Sequence, residues 1–106
     1  MWIFLSDSFL SVVQHKDDVS KLLVRARLKG DIERAFPGVT AEETPIADYR
    51  YRAIVPREKF AARLAALADG IDYTNFKKSV RDEARHEAYM NVWGIMLREQ
   101  DRQSRK

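Results

Sequence analysis

Two stretches of the chain alternate in the manner of half-buried strands. Leu22, Val24, Ala26 and Leu28 interleave with Leu23, Arg25, Arg27 and Lys29, and Tyr49, Tyr51, Ala53 and Val55 interleave with Asp48, Arg50, Arg52 and Ile54. Successive strand side chains point to opposite faces, so each stretch predicts a strand with one face in a core and an arginine-bearing face turned outward. A sheet with one open face buries its other face under helices, which sets the expected class as α+β.

The remaining elements follow from local signals. Residues 2–5 and 9–15 are apolar, β-rich runs around Ser6, Asp7 and Ser8, a spacing that predicts an antiparallel hairpin with a three-residue turn. Gly30 and Asp31 open a short helix. Asp31 and Glu33 sit where the helix dipole favours acid, Ile32, Ala35 and Phe36 form the apolar side, and Pro37 and Gly38 close it. Residues 39–46 have no period and read as a surface loop. Pro56 opens a second helix whose buried stripe is Phe60, Leu64, Leu67 and Ala68, with Gly70 just past its end. The expectation is a four-stranded, mainly antiparallel sheet in the order ββ-β-α-β-α-α, helices packed on one face. The opening hairpin departs from the βαββαβ order of ferredoxin-like folds.

The closing stretch carries the longest helical stripe: Phe76, Val80, Ala84, Ala88, Tyr89, Val92, Trp93, Met96 and Leu97. Asp72 is the expected N-cap, because it places Ile71 and Phe76 as a hydrophobic staple. An unbroken helix from Tyr73 to Gln100 would run roughly 42 Å. A compact domain of this size is about 33 Å across. The helix therefore bends, with the polar residues 81–85 as the first candidate and Gly94 as the second, or it overhangs. An overhanging end has to bury Trp93, Met96 and Leu97, with Tyr89 beside them, and a symmetric dimer is the commonest solution. These four residues are the candidate protein interface.

With 106 residues there is room for one domain. The expectation is a domain over 1–97 and a charged tail over 98–106. Cysteine is absent, which removes disulfides, thiolate nucleophiles and cysteine-containing zinc sites. The apolar start has no basic flank and is interrupted by Ser6, Asp7 and Ser8, so it reads as neither signal peptide nor membrane span, and a cytoplasmic location follows by default. Net charge is +3, but the tail holds four basic and two acidic residues, leaving 15 basic against 14 acidic in the body. Charge alone is thus a weak argument for phosphate binding.

Catalytic signatures are missing. The serines lie in no Gly-x-Ser-x-Gly elbow, and there is no P-loop or Gly-x-Gly-x-x-Gly. Glu83-x-x-His86 has the spacing of a di-iron half-site, yet such bundles need two copies and further glutamates, so a solvated helix face is expected. No catalytic residue, metal or cofactor is expected. The sharper candidates are Arg25, Arg27, Arg50 and Arg52. If their strands pair, four guanidiniums share one surface suited to phosphate or carboxylate, with Trp2, Phe4 or tyrosines nearby for stacking. The alternative is that they only cover the face with their stems and pair with Asp48, Glu42 or Glu43.

DYRYRAIVP at 48–56, IDYTNFK at 71–77 and the later Tyr89 with Val92-Trp93 resemble a family of small bacterial, in places phage-borne, proteins. Its members start with Met-Trp and close on a helix with Tyr-x-x-Val-Trp. The likeness covers nearly the whole chain and implies a self-contained protein, without an activity or catalytic residues to carry over. The leading expectation is a non-enzymatic protein acting through protein–protein contact, as an accessory or regulatory factor. In a phage setting, an inhibitor of a host defence complex such as CRISPR would fit. Nucleic-acid binding through the arginine face comes second, and a small enzyme third.

Overall fold

The computed structural model describes residues 1–105 and shows an α+β protein with five strands and four helices. The strands are β1 (Trp2–Leu5), β2 (Ser8–Gln14), β3 (Lys21–Ala26), β4 (Glu42–Glu43) and β5 (Tyr51–Pro56). The helices are α1 (Asp31–Ala35), α2 (Arg57–Asp69), α3 (Phe76–Ser79) and α4 (Glu83–Ser104). The chain forms two compact units, Met1–Asp72 and Tyr73–Lys106. Residues 98–104 are the last turns of α4.

The first unit is an open antiparallel sheet in the order β1-β2-β3-β5-β4. Its core is Leu10, Val12, Leu22, Val24, Ala26, Ala53 and Val55 from one sheet face against Ile32, Ala35 and Phe36 around α1 and Phe60 of α2. Both helices therefore cover the same face, as the alternation requires. Phe36 and Phe60 stack at 5.3 Å, and Arg63 Nε donates to the Ala35 carbonyl at 2.6 Å, which fastens α2 to the end of α1.

Several details depart from expectation, each for a local reason. The expected four strands are five, because Glu42 and Glu43, read as loop, pair with Arg52 and Tyr51. A two-residue strand carries no period to detect. The hairpin turn holds two residues, since Ser8 pairs with Leu5. Strand β3 stops at Ala26, and Leu28 is more than half exposed. Alternation across Asp48 to Arg50 does not reflect strand, because those residues bend and the Thr44 N–H donates to the Arg50 carbonyl at 2.6 Å to close the hairpin. Tyr49 is buried, but under Arg25 and Arg27 and not in the core cluster.

Asp31 does more than answer a helix dipole. It is 1% exposed, accepts the Phe9 N–H at 3.0 Å, and receives the Arg34 guanidinium. Arg34 Nε in turn donates to the Asp7 carbonyl at 3.0 Å. One turn of helix is thereby bolted to the β1–β2 hairpin by charge-assisted hydrogen bonds. Gly30 enters α1 with φ 91°, a left-handed backbone conformation that calls for glycine.

In the second unit the helical run breaks at residues 80–82, overlapping the start of the expected bend at 81–85, while α4 passes through Gly94 without interruption. Asp82 causes the restart: its ψ is 122° and its carboxylate accepts the Arg85 N–H at 2.9 Å. A short acidic side chain that caps so readily competes with helix continuation. Asn75, not Asp72, caps α3, accepting the Lys78 N–H at 3.1 Å. Ile71 is more than half exposed, and Phe76 joins an aromatic series, 5.8 Å from Tyr73 and stacked at 5.8 Å on Tyr89.

Asp82→Ala is expected to cost about 1 kcal/mol, the usual value of an N-cap. The Arg85 amide should then exchange with solvent several-fold faster, and unchanged exchange would show that the cap is not what starts α4. At the other end, the Arg102 guanidinium first, and then Gln103, hold the Glu99 carboxyl below its ordinary value. A depressed carboxylate supports the fold above its unfolded value and loses that support as pH falls through the folded one. The last turns of α4 should therefore fray in acid, visible as Cα shifts of residues 99–104 moving toward coil while those of 85–92 hold.

Candidate functional site

Two surfaces deserve a chemical reading, one in each unit. On the sheet face opposite α1 and α2, pairing fixes which side chains become neighbours. Trp2 lies opposite Ser11, Ser11 opposite Arg25, Arg25 opposite Arg52, and Arg52 opposite Glu42, a row crossing all five strands. The neighbouring row on the same face is Val13, Leu23 and Ile54. A groove of about 600 Å³ runs there, lined by Val13, His15, Leu23, Glu42, Arg52 and Ile54 among others.

The four candidate arginines are not equivalent. Arg25 and Arg52 face each other in register. Arg25 Nη2 donates to Ser11 Oγ at 2.8 Å, while Nε of Arg25 and Nε of Arg52 are buried and meet no acceptor among the described residues. Arg27 lies past the end of β3 and is held by Asp48, with Nη1 at 3.1 Å from both the carboxylate and the carbonyl. That hydrogen bond raises the Arg27 guanidinium above its ordinary value. Arg25 and Arg27 also stack over the Tyr49 ring at 4.6 and 4.1 Å, a cation–π arrangement that packs them in place. Arg50 lies in the bend and is exposed, outside the row. Arg25 and Arg52 thus lie within strands as register partners, whereas Arg27 and Arg50 lie just beyond the strand ends.

Sequence reasoning missed the apolar half of this face. Leu23 and Ile54 interrupt the polar side of both alternating stretches, and that was the available signal. Their adjacency to each other and to Val13 depends on register, which alternation does not specify.

The second surface is on α4, about 33 Å of helix at 1.5 Å per residue. Of the four candidate interface residues, Tyr89 is buried and is reached by Arg85 Nη1 at 3.4 Å, so it belongs to the interior of the second unit. Trp93, Met96 and Leu97 are exposed at 48%, 61% and 39%, and Val92 and Ile95 are exposed with them. Lys77 Nζ lies 4.5 Å from the centre of the Trp93 ring and fixes the indole from one side. Trp93, Met96, Leu97, Glu99, Gln100 and Gln103 line a shallow depression of about 420 Å³.

Among the described residues no cluster of three or more His, Cys, Asp or Glu side chains is placed to hold a metal ion. Among the described residues no helix is long and apolar enough to cross a membrane. Compared with family models, curated proteins and solved structures, the chain matches none.

Proposed function

We propose that the protein is a non-enzymatic binding module that acts through contact with another protein chain, and that α4 supplies the contact. The single observation carrying this reading is the concentration of Val92, Trp93, Ile95, Met96 and Leu97 in six positions of one helix, every one exposed. Scattered apolar residues on a surface are ordinary, but a contiguous set containing Trp and Met has the composition of an interface core. The polar margin of Glu99, Gln100 and Gln103 completes the pattern of an apolar centre with a wet rim. An accessory or regulatory role follows from binding without chemistry. The resemblance to small bacterial and phage-borne proteins fits that role.

Trp93→Ala is the test, because tryptophan at the centre of such a surface carries a disproportionate share of binding energy. The protein captured with the wild-type chain, or the second copy of the chain itself, should be lost from the variant. Retention at wild-type strength would remove α4 from the interface. Nucleic-acid binding is supported less well: Arg27 is engaged by Asp48 and Arg50 stands apart, so the extended track of free cations that a phosphate backbone uses is interrupted.

A further inference from the structure

The outer sheet face holds an arrangement that α4 does not explain. Arg25 and Arg52 are register partners on paired strands, which puts like charges on neighbouring positions, and the Nε of each is buried with no acceptor among the described residues. One strand period along, Val13, Leu23 and Ile54 form an aliphatic row, with Val13 and Ile54 exposed at 39% and 55%. Arg52 and Glu42 of the first row and Val13, Leu23 and Ile54 of the second line the same groove of about 600 Å³.

We infer that this groove binds an extended acidic segment of a partner protein, one carboxylate meeting Arg52, next to its register partner Arg25, and an aliphatic side chain two residues away resting on Val13, Leu23 and Ile54. Charge selects the carboxylate. Glu42 stands in register beside Arg52, so the row carries two positive charges against one negative, and a single carboxylate balances it. Arginine also accepts a carboxylate in a planar, two-point geometry. Spacing selects the extended segment. The two rows are about 7 Å apart, two residues of strand, which is also the distance between alternate side chains of an extended peptide lying along β3 and β5. The sequence recognised is therefore acid-x-aliphatic. The second row, Val13, Leu23 and Ile54, is branched aliphatic and suits an aliphatic side chain better than a base, while the aromatics of this face, Trp2, Phe4 and Phe9, pack on one another at β1 and β2. The site is independent of the contact made by α4, and either stands if the other fails.

The test uses three acetylated, amidated pentapeptides of alanine: one with glutamate second and leucine fourth, one with glutamine replacing the glutamate, and one with glutamate and leucine adjacent. Binding to the full chain is followed by the Nε–Hε resonances of Arg25 and Arg52 and the methyl resonances of Val13, Leu23 and Ile54. The spaced glutamate peptide should move both sets and bind at least tenfold more tightly than the glutamine peptide and several-fold more tightly than the adjacent one. Arg52→Gln should weaken it about tenfold. Ile54→Ser, at an exposed position that keeps the charge, should weaken it several-fold, with the rest of the methyl spectrum showing that each variant is folded. Equal binding of glutamate and glutamine peptides would overturn the proposal. So would inorganic phosphate moving the arginine resonances at the same concentration as the peptide, which would mean an adventitious ion only. Tighter binding of an oligothymidylate to the same resonances would replace the peptide by a nucleic acid.

Discussion

Replacing Asp31 by alanine is expected to lower the stability of the first unit by about 3 kcal/mol, the combined effect of a lost charge-assisted hydrogen bond and a buried donor left without an acceptor. Asp31 is 1% exposed and accepts from the Phe9 backbone while receiving Arg34, which itself reaches the Asp7 carbonyl. Removing the carboxylate strands the Phe9 N–H and frees Arg34, so the β1–β2 hairpin loses its fastening to α1. Because a domain has only about 5 to 15 kcal/mol in hand, this single change should be conspicuous in urea unfolding followed at the sheet amides. Asp31→Asn keeps an acceptor for Phe9 and loses only the charge, so its loss should be about half as large. A change below 1 kcal/mol in the alanine variant would show that the hairpin is held by its apolar contacts alone.

The second large effect is on binding. Trp93→Ala should weaken association through α4 by about 2 to 4 kcal/mol, roughly thirtyfold to a thousandfold, if the indole is the centre of the contact. Its position supports that magnitude. Lys77 holds one side of the ring, so little freedom is lost when a partner covers the rest. Met96, exposed at 61% and one helical turn away, offers a surface that adapts to its partner, and Met96→Ala should cost less. Stability should be nearly unaffected in the Met96 variant, because an exposed side chain gives up little burial. A Trp93 variant that binds normally, or a Met96 variant that costs more than the tryptophan one, would shift the centre of the contact elsewhere.

The degree to which these features could be read from sequence varied with the range of the interaction. The faces of β3 and β5, the opening hairpin, α1, α2 and the interruption before α4 follow from periods, caps and turn residues within a few positions. Caps were less certain than helices: Asp72, Asn75 and Asp82 are all good N-cap residues, and only packing decides among them. Phe76 packs with Tyr73 and Tyr89, and the cap of α3 is Asn75. Glu42 and Glu43 form a strand because β5 offers them an edge, a non-local cause with no local trace.

The candidate sites divide in the same way. Exposure of Trp93, Met96 and Leu97 was foreseeable from a helical stripe too long for one core, whereas the burial of Tyr89 depends on where Phe76 and Arg85 meet it. That Arg25 and Arg52 share a face follows from alternation. That they stand directly opposite each other, beside Val13, Leu23 and Ile54, follows only from register.

Contact between α4 and another chain is most directly tested by a photo-crosslinking residue placed at Met96, with Lys59 on α2 as the control position, in the cells that naturally express the protein. The account predicts a discrete crosslinked product from position 96, to a partner or to a second copy, that is absent from position 59 and is lost when Trp93→Ala is combined with it. No product at 96, or the same product from both positions, would contradict it.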